Sequence, residues 1–195
     1  MPEYHVQRTN RRKTLALRVQ RDGRIEVLVP SFVDAAYVRD FVGRRAGWIA
    51  DRRRYFREML LQHPPKELKN GESFAVLVRD HRLRLERMPG LKAPLCRIEG
   101  RKLNVAVNQL VRNNLPSVAG TVIREWYAAL TEKKVRAIVR KHAGALAVKP
   151  RHIQVANQIS RWASCSKNGV IRCNWRLSMI PMPVLEYIVV HELCH

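Results

Sequence analysis

Apolar and polar positions alternate at the start of the chain. In "TLALRVQ" and "RIEVLVP" every second residue is apolar, and Asp22-Gly23 between them favours a tight turn, so this stretch predicts a β-hairpin ending at Pro30. The period then lengthens. From Ser31 to Leu60, Phe32, Ala36, Phe41, Trp48, Ile49, Phe56 and Leu60 recur at helical intervals, which predicts one helix capped by Ser31. After the turn-rich "HPPKELKNGE", strand periodicity returns in "SFAVLVRDHRLRLERM" and "CRIEGRKLNVAVN", the latter with a turn at Gly100.

The second part of the chain has a different rhythm. Val118, Val122, Trp126, Ala129, Val135, Ile138 and Val139 form a drifting helical stripe that starts near Pro116 and ends before Gly144 and Pro150. Two short strands, "HIQVAN" and "VIRCNW", follow with Asn168-Gly169 as a turn between them. "PMPVLEYIVVHELCH" then predicts a last helix, with Val184, Leu185, Ile188 and Val189 as its buried face. The expected fold class is α+β. An N-terminal antiparallel β-rich region with a helix covers 1–110, and a region of long helix, hairpin and final helix covers 111–195.

Charge changes the picture more than composition does. The chain has 195 residues, 46% of them hydrophobic, but 37 Lys and Arg face 16 Asp and Glu, for a formal charge of +21. Such a field attracts polyanions, so nucleic acid is a candidate partner, although a merely solvated surface would carry the same charge. No apolar run is long enough to cross a bilayer, and no signal-peptide segment is visible, so no membrane partner is expected. Four scattered cysteines without a C-x-x-C pair suit free thiols in the cytoplasm. The oligomeric state is not readable from these features.

The chemistry is concentrated in "HELCH". On a helix, residues i and i+4 lie about 40° apart in azimuth and about 6 Å apart in rise, so His191 and His195 can share one ion. Imidazole nitrogen suits Zn2+, and Glu192 beside that face can take a proton from an activated water and pass it to a leaving amine. The competing readings are two ordinary helical histidines, or a structural zinc site of Cys165, Cys173, His191 and His195. The second has the wrong cysteine spacing for a finger.

Further residues carry a resemblance. Arg161, Trp162, Ser164, Cys165 and Ser166, then Asn174, Trp175, Arg176 and Leu177, then His191, Glu192, Leu193 and His195 together resemble the core of the YgjP-like metallopeptidases, SprT-type zinc-dependent proteins. The resemblance implies a zincin-like core that hydrolyses peptide or protein substrates, with His191 and His195 as metal ligands and Glu192 as the catalytic carboxylate. It casts Arg161, Trp162, Ser164, Cys165, Asn174, Trp175 and Arg176 as residues supporting the site. Trp162 and Trp175 also read as core packing, Cys165 as an inert thiol, and Arg161 and Arg176 as a structural pair.

This sequence departs from the family in two ways. Ala163 stands where the family has glycine, a position open to close backbone approach or positive φ. The family also continues past this motif to a further histidine, the third zinc ligand. Measured against it the chain is truncated after H-E-L-C-H, which implies an incomplete site and impaired activity. His63, His81, His142 and His152 are the other mid-chain histidines, and none is nominated as a substitute by its spacing. The alternative function is a noncatalytic, basic nucleic-acid-binding module on the same fold.

Overall fold

A computed structural model describes residues 2–62, 64–111, 114–158 and 161–195. His63 lies outside them. The fold is α+β, and the chain forms two compact units, Met1–Pro65 and Lys66–His195. Position 110 falls inside the second unit, between its first sheet and its long helix.

The first unit holds β1 (His5–Thr9), β2 (Ala16–Val19), β3 (Ile25–Pro30), α1 (Ala35–Gly43) and α2 (Ala46–Gln62). The alternating segments pair as expected, Val19 opposite Ile25, with Gly23 at φ +83° in the turn. β1 adds to the other side of β3 in parallel, so the sheet is mixed rather than purely antiparallel. The predicted single helix is two. Asp34, not Ser31, caps the first, its Oδ2 accepting from the Ala36 N–H at 3.1 Å. At the break the backbone tightens to an Arg45 N–H to Val42 C=O bond, the i to i−3 pattern of a 3-10 turn. Val38, Val42 and Ile49 from these helices close over Val27 and Val29 of the sheet.

The second unit contains two sheets. The first has β4 (Ser73–Val76), β5 (Arg79–Met88), β6 (Leu95–Glu99) and β7 (Lys102–Asn108) in the order β4-β5-β7-β6, with β5 and β7 parallel. The second has β8 (His152–Ala156), β9 (Ala163–Cys165) and β10 (Val170–Asn174) in the order β8-β10-β9. β8 runs parallel to β10, and β9 forms the hairpin with it through Ser166 and Gly169. The Asn168-Gly169 turn therefore joins β9 to β10, not β8 to β10.

α3 (Leu115–His142) serves both sheets. Ala119, Ile123 and Tyr127 belong to the core of the four-stranded sheet, and Val135 and Ile138 to that of the three-stranded one. These residues mostly step by four, and each such step turns the stripe by about 40°. The buried face consequently swings by roughly 160° between Ala119 and Val135. The stripe sits one residue away from the sequence expectation over its first half, because Val118, Val122 and Trp126 only flank the core.

Thr131 marks the crossover and is fully buried. Its hydroxyl donates to the Trp175 C=O at 2.7 Å and lies 3.0 Å from the Ser178 Oγ. Trp175 and Ser178 belong to a 3-10 turn (Trp175–Met179) that links β10 to α4 (Met182–Leu193). α4 is tied back to the end of α3 by Glu186, which accepts from Lys141 Nζ and meets His142 Nε2, both at 2.7 Å. No helix among the described residues is long and apolar enough to cross a membrane.

Two outcomes follow from these ties. Thr131→Val keeps the shape but removes the 2.7 Å bond to the Trp175 carbonyl, which keeps only the longer one from Ser178 Oγ, so urea unfolding should show a loss of about 1 kcal/mol. The lysine and then the histidine hydrogen bonds hold the Glu186 carboxyl below its ordinary value of 4.5. A depressed carboxylate stabilises the fold above its unfolded pKa and loses that contribution as pH falls through the native one. Glu186→Gln should therefore lower the thermal midpoint modestly at pH 7, and the difference from the parent should vanish in acid.

Candidate metal centre

Why the two histidines face the same way follows from what α4 buries. Leu185, Val189 and Leu193 step by four into the core shared with α3 and the three-stranded sheet. Ile188 only flanks that core, and Val184 is exposed. The opposite face carries Tyr187, His191 and His195, again four apart. Tyr187 is 70% exposed and stacks on His191 at 6.2 Å, and the His191 and His195 rings meet edge-on at 4.7 Å. The helix end stays closed through the Cys194 N–H, which donates to Val190 and His191 carbonyls.

The Nε2 atoms of His191 and His195 are 3.2 Å apart. Zinc–imidazole bonds of roughly 2.0–2.1 Å from both would meet at one ion with an angle of about 100°, close to tetrahedral. The pair thus fits half of a zinc coordination shell. Without an ion, the same separation lets one ring donate a hydrogen bond to the other.

Glu192 lies about 100° around the helix from His191 and lines a cleft of about 160 Å3 beneath the β9–β10 hairpin. Cys165, Ser166, Lys167, Lys149 and His195 share that lining. Cys173 lies beneath it, fully buried, and burial followed by the Glu192 charge pushes its thiol up to about 12. It packs in the core with Ile171, Leu177 and Leu185. Among the described residues no three His, Cys, Asp or Glu side chains gather as a metal would need. The Cys165, Cys173, His191, His195 set therefore does not assemble. His81 is buried elsewhere with Nδ1 donating to the Arg79 carbonyl at 2.9 Å, and His142 is engaged by Glu186.

The other expected site residues divide between the two ends of the hairpin. Cys165 and Ser166 lie at the Glu192 end. Ser164 sits in mid-strand, opposite Arg172. Trp162 lies at the far end, where its carbonyl accepts from the Asn174 N–H at 2.8 Å. Arg161 precedes it, exposed. Asn174 caps the 3-10 turn through the Arg176 N–H, while Arg176 Nη1 and Trp175 Nε1 both donate to Asn157 Oδ1. Arg176 also stacks over the Trp175 ring at 4.2 Å. This end is about 20 Å from the Gly169 end, at about 3.3 Å of strand per residue. Ala163 is an ordinary strand residue, without the positive φ that would demand glycine.

Sequence reasoning missed Tyr187, Lys149 and Lys167. Tyr187 was visible in principle, four residues before His191. Lys149 comes to the cleft because the parallel β8–β10 pairing sets it beside Gly169, and Lys167 because it lies in the β9–β10 turn.

Comparison with known proteins agrees with this geometry at the family level. No curated protein and no solved structure matches the chain. The model of the YgjP-like metallopeptidase domain matches residues 13–195, nearly the whole sequence. With the metallopeptidase motif on α4 and that match along its length, the chain belongs to the YgjP-like metallopeptidase family.

Proposed function

We propose that this protein hydrolyses peptide bonds with zinc held by His191 and His195. The observation that carries the reading is the 3.2 Å separation of their Nε2 atoms on the exposed face of a helix anchored by Leu185, Val189 and Leu193. Zinc supplies Lewis-acid polarisation and a nucleophilic water when bound. Glu192, one residue on and facing the adjoining cleft, takes a proton from the attacking water and returns it to the leaving amine.

The free edge of β9 offers a place for the substrate backbone. Trp162 and Ser166 bond to β10, so alternation turns the main-chain groups of Ala163 and Cys165 outward. An extended peptide can pair there as an added strand. Among the described residues no third protein donor stands beside the pair. The four free cysteines fit a reducing cytoplasm.

Competition with a chromophoric chelator should show one zinc site, weakened at least tenfold by His191→Ala or His195→Ala. Glu192→Gln should take up zinc as the parent does, yet lower any casein hydrolysis by roughly 10²-fold or more. Unchanged zinc uptake in both histidine variants would sink the assignment.

A second reading, a basic module that binds nucleic acid, draws support from the first unit. Its helices expose Tyr37, Trp48 and Tyr55 amid arginines. Exposed aromatics among cations form a stacking platform for single strands. Affinity for an oligothymidylate should fall steeply with salt, and Trp48→Ala with Tyr55→Ala should cost about tenfold or more. No binding at low salt would exclude this reading.

A further inference from the structure

A cavity of about 950 Å3 in the second unit has no part in the chemistry above. It lies between the outer edge of β4 and the first half of α3, with Trp175 and Met179 from the 3-10 turn closing one side. It is at the far end of β10 from the Glu192 cleft.

The β4 edge is open in a particular register. The Leu83 N–H donates to the Glu72 C=O at 2.8 Å, which makes Glu72 and Leu83 a hydrogen-bonded pair of the antiparallel ladder. Phe74–His81 and Val76–Arg79 are then the next bonded pairs, and the main-chain groups of Ser73 and Ala75 point away from β5. The Ala75 carbonyl confirms this direction by accepting from the Tyr127 hydroxyl at 2.8 Å across the cavity floor. Beyond Ala75 the edge is closed, because Leu77 and Val78 N–H groups donate to the Ser178 and Met179 carbonyls. The Ser73 N–H and C=O and the Ala75 N–H are left facing the cavity, the Ala75 carbonyl being engaged by Tyr127.

Chemistry around that edge selects the occupant. The floor is apolar, from Leu68, Phe74, Ile123 and Met179. The rim carries Lys66, Arg124 and Arg176 against one carboxylate, Asp80, which already accepts from the Ser73 hydroxyl at 2.7 Å. Lys66 and Arg124 form no ion pair among the described residues. The aromatic rings are already engaged: Lys66 lies over Phe74, Arg176 lies over Trp175, and Tyr127 packs against Trp175. Engaged rings disfavour a stacked base, and an open strand edge has nothing to offer an acyl chain.

We propose that this groove binds an extended acidic peptide, which adds to β4 at Ser73 and Ala75, buries one apolar side chain on the floor and sets its carboxylates against Lys66 and Arg124. The site is separate from the metal centre and does not depend on hydrolysis.

Its test uses the full chain, the intrinsic tryptophan fluorescence and the blocked peptide acetyl-Glu-Val-Glu-Leu-Glu-Val-amide. Saturable binding is expected, weakened at least tenfold by Lys66→Glu with Arg124→Glu, and equally by N-methylation of alternate peptide nitrogens. Lys149→Glu with Lys167→Glu, at the Glu192 cleft, should leave the affinity unchanged, which separates this site from the catalytic reading. Circular dichroism of the charge-reversal variant, expected to match the parent, guards against misfolding. Equal binding of a peptide with Lys in place of Glu would overturn the proposal. So would indifference to N-methylation, or competition by decanoate or an oligothymidylate in place of the peptide.

Discussion

Thr131 sits where one helix changes allegiance from one sheet to another, and its hydroxyl makes that change possible. A helix of 28 residues whose buried face turns through roughly half a circle needs a polar position at the crossing. There the side chain can bond outside the helix. The Trp175 carbonyl and Ser178 hydroxyl take that role, which fixes the 3-10 turn against α3. The turn in turn sets where β10 ends and α4 begins, and so where the histidines stand.

A second tie runs from the same turn into the other sheet. Leu77 and Val78 both adopt positive φ, 47° and 66°, in the β4–β5 turn, a conformation that costs side chains of this kind about 1–2 kcal/mol each. The Ser178 and Met179 carbonyls hold their N–H groups, and Leu77 packs against the cores of both sheets. At this junction one partly buried side chain, Leu77, serves two cores. Glycine would relax the backbone but leave the junction unfilled.

That economy explains what could be read from the sequence and what could not. Strand alternation around Gly23 and Gly100 and the last helix at "HELCH" were legible, because each depends on local periodicity. The α3 register was not, because Ala119, Tyr127 and Thr131 are chosen by what they touch across the fold rather than by hydrophobicity. Nor was the β4–β5 turn, since Leu77-Val78 has none of the usual turn residues. Parallel pairings of β1 with β3, β5 with β7 and β8 with β10 join segments distant along the chain and leave no local signature. The motif residues were legible as a set, but not their division between two ends of one hairpin.

The division bears on how the protein would handle a chain longer than a few residues. β9 and β4 are short edge strands, a form that limits unwanted pairing between molecules. Each has main-chain groups turned toward a groove, one beside Glu192 and one beside Lys66 and Arg124. Along β10 the two ends are separated by about 20 Å, or about six residues of extended peptide. A single extended substrate could therefore touch both only if it had at least that many residues between its acidic stretch and the bond to be cut. Shorter peptides would meet the grooves one at a time. Cations near both grooves, Lys149 and Lys167 at one and Lys66 and Arg124 at the other, favour the same sign of substrate charge at each end. In that arrangement the net charge of +21, which by itself fits any polyanion, gains a local meaning at two strand edges.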